Sequence, residues 1–217
     1  MNYAEDKSKL RRKIQLVTWI IVPITIFAGL KYPLIGWAVP VVMLMGIVGA
    51  FFRGRYVCGW LCPRGAFYDR VVKFISPKKK IPGLFRNKIF RWGIFVLLMG
   101  FMFYQISINP SDIYHWGRVF VRICIITTSI GVVLAIFYHP RTWCSFCPMG
   151  TMQGAIGGHK RKLRMDDGCK RCLTCEKECP IDLKIVDNVD SSGKLKSSDC
   201  LQCPECQRVC PQKILHF

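Results

Sequence analysis

The stretch "VCGWLCPRGAFYD", Val57 to Asp69, holds two cysteines four positions apart and follows the second with Pro-x-Gly. A near copy, "WCSFCPMGTMQG", runs from Trp143 to Gly154, its cysteines three positions apart. Each copy stands where a long apolar stretch gives out, and that placement decides the fold. Working outward, the apolar stretches are Ile14 to Leu30, Leu34 to Phe52, Trp92 to Ile108, and about Val119 to Tyr138. As helices rising 1.5 Å per residue they are roughly 25–30 Å long, enough to cross a hydrocarbon core of ~30 Å, the shorter ones with help from their flanks. Helices satisfy their own backbone polar groups, so they are the form expected in lipid.

The N-terminal "KSKLRRK" before the first apolar stretch resembles a signal peptide, but no clear small-residue cleavage site follows. A retained first span is expected. Spans one and two, then three and four, form two hairpins, each ending in a cysteine pair. This is a weak parallel repeat, which predicts a pseudo-twofold axis along the membrane normal that brings the ends of spans two and four together.

The formal charge of +19 would suit a nucleic-acid binder, but its distribution argues otherwise. Of the 32 basic residues, 29 lie before span one, between Arg53 and Arg91, or from Arg141 onward. Those are the segments that a four-span chain places on one side. The positive-inside rule puts that side, with both termini, in the cytoplasm. The location expected is the cytoplasmic (inner) membrane of a prokaryote, with the bilayer rather than nucleic acid as the partner of this charge.

The C-terminal region reads "CKRCLTCEKECP" from Cys169 and "CLQCPECQRVCP" from Cys200. Both are C-x2-C-x2-C-x3-C-P, the spacing of two-cluster bacterial ferredoxins, in which the fourth cysteine reaches across to the other cluster. Cys169, Cys172, Cys175 and Cys210 are thus expected to hold one [4Fe–4S] cluster, and Cys200, Cys203, Cys206 and Cys179 the other. Residues 161–217 read as this ferredoxin-like domain, and 1–160 as the helical membrane domain. Cys58, Cys62, Cys144 and Cys147 admit three readings: an additional iron–sulfur or metal site, redox-active thiols, or packing. The metal site is favoured, since two equivalent pairs at two span ends are a poor match to chance. If span two continued as helix through Cys62, Cys58 and Cys62 would share one face, although Pro63 discourages that.

Four spans, two Cys-Pro pairs at span ends and a C-terminal ferredoxin together resemble the NapH/NosR family of membrane-bound ferredoxins. The departure is the second pair, C-x2-C-P where that family has C-x3-C-P. The resemblance implies a quinol dehydrogenase-type relay of electrons between the quinone pool and a partner redox protein or multisubunit complex. Other readings are a metal-ion (copper) reductase or metalloenzyme assembly factor, and a non-enzymatic redox sensor or anchor.

Arg118, Arg122 and His115, with Asp112 and Trp116, are candidates for a quinone pocket at the outer end of span four, because charge inside a membrane often marks a site. His139 and Arg141 read as interfacial anchors beside the second cysteine pair, or as residues that tune it. Cys124 has no partner spacing and reads as a buried packing residue.

Overall fold

The computed structural model describes residues 3–77 and 79–217. It is helical apart from one two-stranded antiparallel pair near the C-terminus. Four helical stretches among the described residues are long and apolar enough to cross a membrane: Tyr3–Lys31, Pro33–Arg53, Lys88–Ile108 and Ile113–Phe137. The third and fourth begin several residues before their apolar runs.

The first stretch is not one helix. Helix α1 (Tyr3–Thr18) stops at a turn, Trp19–Ile20, and α2 (Ile21–Lys31) continues. Pro23 explains the break: it has no N–H for the Trp19 carbonyl, and its ring would clash with that carbonyl in a regular helix. The interruption falls inside the expected Ile14 to Leu30 span. The faces of α1 are inverted as well. Ser8, Arg11 and Gln15 are buried, while Leu10, Leu16 and Val17 point outward. The polar stripe packs inward, leaving apolar side chains to face the membrane.

After a short 3-10 segment, Pro33–Trp37, helix α3 (Ala38–Arg53) forms the second crossing. It ends at Gly54, whose φ of +60° few other residues adopt. The chain restarts as α4 (Tyr56–Trp60) and then α5 (Pro63–Arg70). Span two therefore does not run through Cys62 as one helix. Helix α6 (Lys88–Ile108) and α7 (Ile113–Phe137) form the third and fourth crossings, each opened by an asparagine or aspartate cap, Asn87 to the Ile89 N–H and Asp112 to the Tyr114 N–H. Short α8 (Thr142–Phe146) and α9 (Pro148–Gly157) follow.

Close backbone approach locks α7 against the 33–37 segment. A Cβ at Gly117 would lie 2.1 Å from the Pro33 carbonyl oxygen, and one at Gly36 2.3 Å from the Gly117 carbonyl oxygen. Backbone atoms cannot step aside as a side chain can. Gly117→Ala is expected to cost about 1–3 kcal/mol through overpacking, read as a lower thermal midpoint in detergent; an unchanged midpoint would show that these helices part freely.

The C-terminal part contains β1 (Arg164–Met165), α10 (Thr174–Lys177), α11 (Glu205–Val209) and β2 (Leu215–His216), with β1 paired to β2. Its apolar core gathers Leu163, Ile181, Ile185, Leu195, Leu201 and Leu215 around Cys179 and Cys206. Cys58 and Cys144, which follow the second and fourth of the long apolar stretches, pack against this same core.

Candidate metal centres

The two C-terminal motifs curl by the same device. The residue before the second cysteine, Arg171 in one and Gln202 in the other, has a positive φ near +50°. So does the third residue after the last cysteine, Asp182 and Lys213. Left-handed turns at equivalent positions bend each loop back on itself, so that successive thiols can face one volume instead of splaying.

Those volumes are separate. Cys169, Cys172, Cys175 and Cys210 line one small cavity together with Val186 and Ile214. Cys179, Cys200, Cys203 and Cys206 line another, walled by Leu163, Ile181 and Leu195. The structure thus gathers the crossed sets expected from the spacing, including the exchange of Cys179 and Cys210. Among the described residues, no three cysteine, histidine or acidic side chains close tightly enough to hold a single metal ion. Four thiols spread around a volume suit a multi-iron cluster, and the donor set fits [4Fe–4S]. Burial pushes the Cys179 thiol up to about 12 and Cys175 to about 11, each aided by neighbouring sulfurs. Positive charge of the kind bound iron supplies would favour the thiolate form of both.

At the membrane edge, Cys62 and Cys147 occupy matching positions. Each is the extended residue just before a helix that opens with proline, α5 or α9. Cys58 has Cys62, Cys147 and Cys144 as electrostatic neighbours, and Cys144 has Cys62 and Cys147. Cys58 and Cys144 thus each lie within electrostatic range of the other edge thiols, and Cys58, Cys62 and Cys147 also line a cavity in the helix bundle. Burial raises the Cys58 thiol, and raises Cys144 to about 12, against the pull of Arg55 and Arg141.

Two buried arginines hold this region, and they cross. Arg55, three residues before Cys58, donates to the Cys144 carbonyl at 2.8 Å and pairs with Asp199 at 2.8 Å. Arg141, three residues before Cys144, donates to the Cys58 carbonyl at 3.4 Å and the Gly65 carbonyl at 3.3 Å. It also grips both oxygens of Asp69 at 2.8 Å. Arg141 is fully buried, so it is not an interfacial anchor. Asp69 additionally accepts from Arg11 at 2.8 Å and Gln15 at 3.0 Å, and Arg11 continues to Glu205 at 3.0 Å. Asp199 likewise collects Arg91 at 2.9 Å. These pairs tie spans one and three and both cysteine turns to the C-terminal motifs. They also place positive charge beside the inner thiol set, since Arg55 acts on Cys200, and Arg11 and Arg141 on Cys203.

The arginine–carboxylate pairs are what sequence reading missed. One signal was available: an arginine stands three residues before the first cysteine of each edge pair. The three outer residues expected to serve a quinone have separate surroundings. Arg118 is exposed and pairs with Asp112 at 3.2 Å, His115 meets the Gln105 carbonyl at 2.8 Å, and Arg122 sits on the exposed face of α7. Cys124 is buried, as expected, with Arg64 donating to its sulfur at 3.7 Å.

Thiol sets of this kind on a four-span helical body define a membrane-associated iron–sulfur protein of the ferredoxin type. Residues 35–82 and 122–166, which contain both edge pairs, match a family described as a 4Fe-4S binding domain, and residues 168–215 match a 4Fe-4S dicluster domain. The chain carries 4Fe-4S domains and is similar to membrane-associated 4Fe-4S proteins of the ferredoxin type. It is 27% identical to the ferredoxin-type protein NapH of Haemophilus influenzae, over 85% of this chain and 67% of that one. It is 26% identical to the uncharacterized protein MJ0749 of Methanocaldococcus jannaschii, over 100% of this chain and 88% of that one. With MJ0750 of the same organism the identity is 27%, over 79% and 75%. No solved structure matches this chain.

Proposed function

We propose that this protein relays electrons between the quinone pool and a partner redox protein or complex. In this reading residues 1–160 form a membrane domain of two repeated hairpins, and residues 161–217 carry two [4Fe–4S] clusters on the crossed cysteine sets. The four edge cysteines hold a further iron–sulfur centre between them. The observation that carries the reading is continuity: Cys58 and Cys144 touch the same core that encloses Cys179 and Cys206. The thiol sites are thus stepped from the helix bundle outward. The reciprocal reach of Arg55 and Arg141 into the opposite cysteine turn supports the repeat. Bound clusters supply reversible one-electron chemistry; the chain supplies thiolate ligands and burial that hold them, and nearby arginine charge that favours the more negative, reduced state. The basic residues support a cytoplasmic placement of both termini and all thiol sites in a prokaryotic inner membrane.

Iron and acid-labile sulfide, counted per chain with EPR, test the assignment. About ten to twelve irons are expected, falling to about eight in the Cys58→Ser/Cys62→Ser protein while the signals of the C-terminal pair persist. Eight irons in the parent protein would remove the edge centre. Clusters that neither gain electrons from a quinol nor lose them to a quinone would remove the relay.

A further inference from the structure

A cavity of about 170 Å³ lies within the helix bundle, directly against the edge thiols. All four crossings contribute to its wall, among them Thr25 of α2, Val42 of α3, Leu98 of α6 and Thr127 of α7. Cys58, Cys62 and Cys147 line it as well, together with Arg64. The lining is almost wholly apolar, and a void on the order of 150 Å³ accepts a benzene ring.

Two polar atoms in wall residues have no hydrogen-bond partner: Gln153 Oε1 and Trp143 Nε1. Both side chains are nearly inaccessible, at 2% and 3% exposed. A buried polar group left unpaired is costly, and native structures leave few without a reason. These two have opposite character, one an acceptor and the other a donor. Arg64 adds a cation, positioned over the Trp143 ring at 5.9 Å.

We propose that this cavity is the binding site for a quinone-class ring. The inference rests on the relay reading and assigns its membrane-side ligand to these residues, away from Arg118, Arg122 and His115. The apolar wall, inside the crossings, selects a ligand that dissolves in lipid. The size selects a ring. The orphaned pair selects a group that is carbonyl in one redox state and hydroxyl in the other: the indole N–H donates to a carbonyl, and Gln153 Oε1 accepts from a hydroxyl. The thiols in the lining give that ring the edge centre as its neighbour.

Photolabelling of the full-length protein in nanodiscs with an azido-quinone, followed by peptide mapping, tests the location. Adducts are expected on residues 38–43 or 143–153; adducts confined to 112–122 would overturn the assignment. Decylubiquinone titration of Gln153→Leu and of the cavity-filling Ala38→Phe should show affinity weakened about tenfold or more, in protein that keeps its iron content. Parent-like affinity in both variants would sink the site and leave the relay standing. A parent protein that binds no decylubiquinone, and whose clusters stay unchanged on adding its quinol, would instead remove the relay itself.

Discussion

Arg141→Leu is expected to destabilise the protein by about 3–5 kcal/mol, the range for breaking a buried ion pair from one side. Arg141 has no exposed surface, so its charge is compensated only by what it touches: both Asp69 oxygens and the Cys58 and Gly65 carbonyls. Its loss leaves the carboxylate to Arg11 and Gln15 alone and frees two carbonyls in a closed space. Arg141→Lys should rescue little, because an ammonium cannot reproduce the paired hydrogen bonds of the guanidinium. The pH dependence has a definite sign. Despite the cost of burial, Arg141 and Arg11 hold the Asp69 carboxyl at about 2, below its ordinary 3.8. A depressed carboxyl stabilises the fold above its ordinary value and ceases to do so as pH falls towards the lowered one. The gap in unfolding midpoint between parent and Arg141→Leu should therefore be full near neutrality and narrow below about pH 4. Thermal melts across that range read it directly; a gap independent of pH would show that Asp69 is not what Arg141 stabilises.

Single Cys→Ser changes in the C-terminal motifs should each remove about four irons and one EPR signal, and the pattern of loss should cross. Cys210→Ser is expected to abolish the same signal as Cys169→Ser or Cys172→Ser, because these line one cavity. Cys179→Ser should abolish the signal lost with Cys200→Ser or Cys203→Ser. If Cys179→Ser instead matched Cys169→Ser, each motif would close on its own cluster and the crossed assignment would be wrong. Cys172 gives a second contrast: it is exposed, whereas Cys203 at the equivalent position is buried. The Cys169 set should therefore lose its iron first under oxidation, since susceptibility follows access.

The parts legible in sequence are those encoded locally. Apolar runs of 17 or more residues announce crossings, and the C-x2-C-x2-C-x3-C-P spacing implies the exchange of Cys179 and Cys210 because a short loop cannot supply four corners. The break at Trp19–Ile20 was also local, since Pro23 was in view, but hydropathy alone reads across it. What escaped were pairings made across the chain. Arg55, Arg91 and Arg141 look like ordinary flanking cations until the fold brings Asp199 and Asp69 to them. The inverted faces of α1 were hidden for the same reason. Ser8, Arg11 and Gln15 lie inward because Asp69 and Glu205, distant in sequence, come to meet them.

That last pairing has a consequence for how the molecule is assembled. Arg11 and Glu205 are 194 positions apart, and Glu205 lies between two cysteines of the final motif. Arg11 also reaches Asp69 on α5, but its second carboxylate partner, Glu205, comes into place only once the last four-cysteine motif has closed. Contacts of such long range form late, so α1 docks first on Asp69 through Arg11 and Gln15, and Ser8 and Arg11 gain Glu205 only afterwards. Incorporation of iron into the second motif then becomes the event that completes the seating of the N-terminus. A chain starved of iron should keep α1 open to protease at Lys7, Lys9 and Arg12, giving the cell a means to tell filled copies from empty ones.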